Sequence, residues 1–390
     1  MNPTKSAQKE PFISIIVPVR NMERTIKTTF KYLMNAQYPR EKMEIIFADG
    51  GSTDATVSII KDYQKEHPCI KLVEIPKCPS PGFARTRALK EAKGEFIFFT
   101  DGDCAPCKDW IYKILEAFKK DKKIGAVGGE IFTLRADQNN LVEIFCEAFG
   151  FNRVAWRYGW LEEGYYPELD DYTPTQICGH RAYFFVTANV AYRKEAVEDN
   201  KKKFWDLPTG EDMDFGIRAR ENGWKFYFLP SASVDHMHRA DLPALLKVWR
   251  SYGEGHPPLL AAHAKNYLEI IPQFIGRWPN HKIFRFPSPV KGFIYIGNFH
   301  LMHLSGFLFM LFFILQWLFP FSFWLRLFTW LFLPSFLFFV FRFFRPAFNI
   351  IPYNQWLAFS KMKYLTNLYF IWGGIKNSKK HKTLCLEPSF

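Results

Sequence analysis

The stretch that decides how this chain reads is FFTDGDCAPC, residues 98–107. An apolar run ends there in two carboxylates one residue apart, Asp101 and Asp103, and Cys104 and Cys107 follow at once. Paired carboxylates suit a hard cation such as Mg2+ or Mn2+. A C-x-x-C pair suits zinc or thiol–disulfide chemistry instead. In extended chain the two-residue spacing puts both carboxylates on the same side. Gly102 between them allows an unusual backbone angle and a close ligand approach. The two acids can then hold a divalent cation shared with substrate phosphates. The plainer alternative is a glycine turn with two solvated acids. No second Cys or Cys/His pair lies nearby in sequence to complete a zinc site. The cysteines therefore read as small residues at a turn and before a helix.

The flanking sequence favours the carboxylate reading. FISIIV, residues 12–17, is a β-branched run closed by Pro18 and predicts a buried strand. Ile26, Phe30, Leu33 and Met34 recur at helical spacing, and EIIFA (44–48) predicts the next strand. Asp54 is placed to cap a helix with Val57 and Ile60 on its apolar face. Residues 70–75 predict a third strand, Ala84, Ala88, Leu89 and Ala92 a helix stopped at Gly94, and Phe96–Phe99 a fourth strand. Trp110, Ile111, Ile114, Leu115 and Phe118 mark another helical face. The alternation predicts an α/β fold on a mainly parallel sheet flanked by helices. The clusters VRN, DGGSTD and DGD each follow a predicted strand. Ligands bind at that edge in open α/β sheets.

Further along, residues 126–132, 183–192 and 225–229 predict strands. The aromatic-rich segment 137–175 forms part of an acceptor site or a packed surface. TGEDMDFG places Glu211 and Asp212 at or just before a helix N-terminus, and Gly223 stops that helix. Asp212 is a candidate general base for an acceptor hydroxyl, with helix capping as the bland alternative. Asp49 can accept from a nucleobase N–H or a ribose hydroxyl, or can shape its own turn with Ser52. Arg85 and Arg87 flank Thr86, so that one can meet a phosphate and the other face solvent. His236 and His238 can each offer a nitrogen to the same metal, or be structural.

The bulk properties bound the partners. A net charge of +13 points to an anionic one: a membrane surface, nucleic acid or phosphorylated substrates. Seven scattered cysteines argue for a reducing compartment rather than a disulfide scaffold. The polar start MNPTKSAQKEP has no apolar run after its basic residues and predicts no signal peptide. From Gly292 to Leu325 there is no Asp, Glu, Lys or Arg. A span needs roughly 20 apolar residues, which predicts one at 300–319 and, after Pro320, a second at 321–344 carrying Arg326 and Arg342 near its ends. Such arginines can snorkel to the interface. The basic tail, with Lys376, Lys379, Lys380 and Lys382, favours a cytoplasmic face. The alternative is a buried apolar helical pair in a soluble core.

Taken together, SIIVPVRNMERTI, FADGGSTDAT, GFARTRALKEAKGEFIFFTDGDC, TANVAYRKEA and TGEDMDFGIRARENGWKFYFLPSASVDHMHR resemble, in order, the motifs of the family-2 inverting glycosyltransferases. That family has a GT-A fold, and its membrane members carry a C-terminal anchor. The resemblance covers roughly residues 13–239. It implies a Rossmann-like GT-A domain (11–239) after a polar tail (1–10), beyond which the composition predicts interfacial amphipathic helices (240–291), a two-span transmembrane hairpin (292–345), and an interfacial helix, or a third span, with a basic cytoplasmic tail (346–390). It implies a nucleotide-sugar donor and a Mg2+ or Mn2+ ion. It places Asp49 at the nucleobase with Pro18 and Arg20 in the same pocket. Arg85 falls at the Arg of the family's A-R-N segment, where this chain has Thr86 instead of Asn. Asp101 and Asp103 match the DxD pair, one toward the ribose and one toward the metal. Asp212 matches the catalytic base, and His236 a histidine that helps hold metal or diphosphate.

The resemblance further implies an integral protein of the cell membrane with its catalytic domain toward the cytoplasm. Its partners would be membrane lipids and a lipid-linked glycan or polyprenyl-phosphate acceptor, with no nucleic acid. Processive members carry Q-x-x-R-W after the His motif. Here LLKVWRSYGEGHPP has Trp249 and Arg250 reversed and no Gln, which argues for single transfer. The rival readings are a processive polysaccharide synthase, a nucleotidyltransferase and an inactive membrane scaffold.

Overall fold

The computed structural model describes residues 10–157, 162–169, 171–179, 181–207, 209–275 and 281–387. Residues 1–9 of the expected tail lie outside the described residues. The chain forms two compact units. The first runs to Asp171 and resumes from His180 to Arg239; the second holds Tyr172–Gly179 and everything from Ala240 onward.

The first unit begins with β1 (Ile13–Val19), α1 (Ile26–Asn35), β2 (Met43–Asp49), α2 (Thr56–Glu66), β3 (Ile70–Glu74), α3 (Pro81–Glu91) and β4 (Phe96–Phe99). These elements fall where the apolar periodicity puts them. Asp54 stands one residue before the N-cap Ala55 and accepts from the Thr56 N–H at 3.0 Å. There follow β5 (Cys104–Pro106), α4 (Trp110–Lys119), β6 (Ile124–Gly128), β7 (Ile131–Thr133), α5 (Leu141–Ala148), α6 (Val154–Arg157) and β8 (Gly164–Tyr165). A short helix α7 (Pro174–Ile177) belongs to the second unit. The first unit then resumes with β9 (Val190–Arg193), α8 (Lys194–Asp199), α9 (Glu211–Glu221), β10 (Lys225–Phe228) and β11 (Val234–His236).

The main sheet has the order β3-β2-β1-β4-β9-β6-β10-β8. The pairs β3–β2, β2–β1, β1–β4 and β6–β10 are parallel, while β9 runs antiparallel to both β4 and β6. Every residue of β1 and β2 is buried. Parallel strands covered on both faces read as continuous apolar runs, which is why FISIIV and EIIFA are legible. Two expected strands are corrected. The stretch 126–132 is not one strand: the chain leaves β6 at Gly129, where a Cβ would sit 1.8 Å from the Ala232 carbonyl oxygen, and restarts as β7 in another sheet. Of 183–192 only the last residues pair, as β9. Asn189 holds the segment just before it, its amide donating to the Glu130 and Ala232 carbonyls at 2.9 Å each.

The second unit continues with α10 (Leu242–His263), β12 (Tyr267–Pro272), β13 (Phe284–Pro287), β14 (Lys291–Ile296), α11 (Asn298–Leu318), α12 (Phe323–Ile350), α13 (Trp356–His381) and β15 (Thr383–Leu386). The expectation of interfacial helices through 240–291 is therefore corrected. One helix is followed by strands of a four-stranded sheet, order β13-β12-β14-β15. Residues 292–296, read as the start of the hairpin, complete β14. The sheet pairs segments about ninety residues apart, which no local period announces. Inside it Glu269 is fully buried and satisfied by the Thr175 N–H at 2.8 Å and Arg285 Nε at 3.0 Å.

Two helices are long and apolar enough to cross a membrane, Asn298–Leu318 and Phe323–Arg345. Core helices hide their apolar side chains, but here Phe307, Trp317, Phe323 and Trp324 are all more than 60% exposed. The third long helix, α13, packs closely on α10. A Cβ on Gly253 would meet the Phe370 carbonyl at 2.0 Å, and one on Gly373 the Arg250 carbonyl at 2.1 Å. Pro258 lacks the N–H that would serve the Glu254 carbonyl in α10. The Asn377 amide of α13 donates to that carbonyl at 2.8 Å.

Candidate active site

The chain builds β1, β2 and β3 outward in one direction, then returns to lay β4 on the other side of β1. Strand order reverses there, and the crevice at the C-terminal ends of such strands receives ligands. Pro18 pairs with Ala48 and Val19 with Asp49 at this edge. Arg20 follows β1, and Asp101 and Asp103 follow β4.

The DGD segment is a turn rather than extended chain, closed by the Cys104 N–H donating to the Asp101 carbonyl at 3.1 Å. Gly102 does not adopt a positive φ. Its requirement is steric, since a Cβ would lie 2.8 Å from Val19 Cγ1. The Thr25 hydroxyl donates to the Gly102 carbonyl at 2.9 Å. After the turn β5 pairs with β11, putting Cys104 opposite His236. That register brings His236 Nε2 to 3.4 Å from Asp103 Oδ1. Carboxylate oxygens of Asp101 and Asp103, Cys104 Sγ and a His236 ring nitrogen all lie within 4.8 Å of one another. Burial, then the charges of Asp103 and Asp101, push the Cys104 thiol well above its ordinary pKa. A thiol is a soft donor and a poor partner for a hard cation. His236 Nδ1 has no hydrogen-bond partner among the described residues.

Arg85, on α3, is 4% exposed and joins the two halves of the site. One terminal nitrogen lies 2.9 Å from Asp101 and the other 2.5 Å from Glu211. Both forks are thus held by carboxylates, and Nε is the donor without a partner among the described residues. Arg87 is exposed, so of the flanking pair only Arg85 turns inward. Thr86 accepts from the Phe204 N–H at 3.0 Å and fastens the segment that leads to α9.

Gly210 enters α9 at φ +86°, a conformation that favours glycine. Glu211 and Asp212 then occupy the first turn, where the helix dipole favours negative charge. Asp212 accepts from the Met213 N–H at 2.8 Å and from the Thr187 backbone. Burial raises its pKa above the ordinary Asp value, with the Arg85 charge opposing. Burial raises Glu211 as well, again against Arg85. Desolvation outweighs ion pairing at both carboxylates, the condition that turns a carboxylate into a proton acceptor near neutral pH.

The remaining candidates divide. Asp49 is 3% exposed, and its carboxylate accepts from the Gly51 and Ser52 N–H groups at 3.0 and 3.1 Å and from the Ser52 hydroxyl. The turn-shaping role is therefore present in the structure. Pro18 is buried and Arg20 exposed near the Cys78 thiol. His238 does not join His236 at a metal: it is buried, its Nε2 lies 2.9 Å from Thr133 Oγ1, and burial lowers its pKa to about 3. Two partners emerge only in three dimensions. Arg239 approaches Asp103 at 3.9 Å, and Glu211 takes Arg85. The sequence signal for Glu211 was its place beside Asp212, which does not say where it points.

Residues 14–200 match the model of the family "Glycosyl transferase family 2". The chain is 27% identical over 249 residues to the probable glycosyltransferase YdaM of Bacillus subtilis, covering 61% of this chain and 53% of that one. It therefore spans about half the length of that relative. It is 25% identical over 270 residues, 67% of this chain and 78% of the relative, to a Methanococcus voltae protein. That protein is named dolichyl N-acetyl-alpha-D-glucosaminyl phosphate 3-beta-D-2,3-diacetamido-2,3-dideoxy-beta-D-glucuronosyltransferase. Among solved structures, the mannosyltransferase PcManGT from Pyrobaculum calidifontis in complex with GDP-Man and Mn2+ aligns with TM-score 0.46 and 19% identity, over 66% of each chain.

Proposed function

The chain carries a glycosyl transferase family 2 domain, and on that premise we propose that it moves a sugar from a nucleotide-diphosphate donor to a hydroxyl of a lipid-linked, membrane-proximal acceptor. The transfer is single and inverts the anomeric configuration. One observation carries this reading: Arg85 bridges Asp101 of the DGD turn to the first turn of the helix that bears Asp212. Donor-side and acceptor-side carboxylates are thereby held in one network.

Asp101, Asp103 and His236 fit a Mg2+ or Mn2+ ion, being oxygen donors joined by one imidazole. Bound there, the ion would neutralise charge on the donor diphosphate. Arg85 holds Asp101 in place and contributes positive charge on the same side. Asp212, ionised, takes the proton of the acceptor hydroxyl, which attacks the anomeric carbon opposite the departing nucleoside diphosphate. Asp49, Pro18 and Arg20, at the end of β1 and β2, take the nucleoside. The exposed apolar helices α11 and α12 anchor the protein in the cell membrane, and the basic end of α13 keeps the catalytic unit on the cytoplasmic face. The dolichyl-linked acceptor in the name of the M. voltae relative supports a polyprenyl-phosphate-linked substrate.

The test is purified chain in detergent with a nucleotide-sugar panel, a polyprenyl-phosphate glycan, and Mn2+ or a chelator. Release of nucleoside diphosphate with a single added sugar is expected. Pyrophosphate release would make it a nucleotidyltransferase, a product ladder a processive synthase, and neither turnover nor donor binding an inactive scaffold.

A further inference from the structure

The second unit contains a separate cluster of ligand-type side chains that glycosyl transfer does not use. His256 lies on α10, Cys385 on β15, and Glu387 just beyond it. His256 Nδ1, Cys385 Sγ and a Glu387 carboxylate oxygen all lie within 4.8 Å of one another. The ring nitrogen is 3.6 Å from the sulfur and 3.6 Å from the carboxylate oxygen Oε2. A second thiol, Cys178 just after α7, lies 3.7 Å from the His256 carbonyl oxygen. It lies beside the cluster but outside the set of donors within 4.8 Å of one another. Both cysteines are almost fully buried, at 5% and 1% exposure.

The spacing separates two explanations. A His–carboxylate hydrogen bond needs roughly 2.7–3.2 Å between heavy atoms, and 3.6 Å is too long for one. Two ligands of one tetrahedral zinc ion, at about 2.0–2.3 Å from the metal, stand roughly 3.3–3.8 Å from each other. The 3.6 Å contacts of His256 fall in the second range, the one to sulfur being also an ordinary thiol–imidazole hydrogen-bond distance. The donor set agrees with it. A thiol and an imidazole are soft or borderline ligands that select zinc over Mg2+ or Mn2+.

The fold also presents the donors to one point. Cys385 and Glu387 are two residues apart at the end of a strand, an alternation that favours one face. The parallel pairing of β14 with β15 sets Phe293 opposite Cys385. The Phe370 ring, edge-on at 5.3 Å, bounds the imidazole on one side.

We propose that His256, Cys385 and Glu387 form a zinc site with three protein ligands. A fourth tetrahedral position then remains for water. The site ties the end of β15 to α10, with His256 and Cys385 separated by 129 positions in sequence.

The experiment uses the full chain in detergent, purified without chelator and with no metal added. Stoichiometric zinc by elemental analysis is expected. Replacement by Co2+ should give an intense thiolate-to-cobalt charge-transfer band. Cys385→Ser and His256→Ala should lose the zinc, and Cys385→Ser the band, whereas Cys104→Ser, beside the DGD turn, should keep both. Should the variants fail to fold, the wild-type cobalt spectrum decides alone. Absence of zinc together with absence of a thiolate band overturns the proposal. So does a band that Cys104→Ser abolishes, or a Cys178–Cys385 disulfide found by peptide mapping of unreduced protein.

Discussion

The two ligand-type clusters of this chain are built by opposite means. At the DGD turn the donors are hard oxygens, and a buried arginine spans Asp101 and Glu211. In the second unit the donors are one thiol, one imidazole and one carboxylate. The first cluster stores mutually repelling carboxylates, held together by Arg85 and by the helix dipole at the start of α9. It can accept a cation and a proton without changing its fold. The second places a buried thiol beside an imidazole, a pair that a soft cation can join. The difference teaches that a cluster of acids and one bearing a thiol, each with a histidine, select different cations: a hard one at the sheet edge and a soft one in the second unit.

The largest effect expected is at the base. Asp212→Asn should lower turnover roughly a hundred- to ten-thousand-fold while donor binding, read by thermal shift, persists. Zinc content should be untouched; a variant that loses donor binding instead would make Asp212 a structural residue. Asp103→Ala should remove the metal-dependent part of the rate and leave the chain folded, and full activity would end the metal assignment.

Next comes Arg85→Ala. Taking one member from a buried ion network costs about 3–5 kcal/mol, because Asp101 and Glu211 then face each other uncompensated. Chemical denaturation of the variant checks this, and a loss under 1 kcal/mol would show the bridge to be slack.

A pH profile sharpens the same point. Burial raises the Asp212 pKa, and activity needs the ionised form. The acid limb of the rate should therefore lie above the ordinary Asp value of about 3.9. The stability sign is opposite: this group's contribution is full below the ordinary value and is lost as pH rises through the raised folded one. Because Arg85 opposes the shift, Arg85→Gln should move the limb further up; a limb that stays or falls would refute the coupling.

The smallest expected effect separates the histidines. His238→Phe should cost about 1 kcal/mol through its bond to Thr133 and leave the metal response of transfer intact. His236→Ala should weaken that response. Equal effects on metal response would put both rings at the ion.

Much of the first unit was legible because its signals are local. Buried parallel strands must be apolar along their whole length, helices must repeat every three to four residues, and loops after strands carry the polar clusters. That was enough to place Asp49, Asp101 and Asp103 just after predicted strands, whereas Asp212 and His236 were joined to them through the resemblance to the glycosyltransferase motifs. Local signals say nothing of side-chain direction, so Arg85 read as a phosphate ligand until its forks were seen on Asp101 and Glu211. Likewise Gly102 read as a backbone-angle glycine, and its reason proved to be Val19 packed against its Cα.

The second unit was less legible past α10. Its strands are short and its sheet draws in β15 from the far end, so 240–291 read as helices. The cysteines of FFTDGDCAPC drew the eye to a zinc pair that the sequence denied. Cys178 and Cys385, with nothing local to mark them, meet His256 only after folding. Sequence alone determined what local periodicity and turn chemistry can express: an alternating α/β unit, its acidic edge, and two helices apolar enough for a membrane. Tertiary structure decided which charges neutralise one another and which distant donors converge, because both depend on side-chain contacts that local periodicity does not express, up to more than a hundred positions apart.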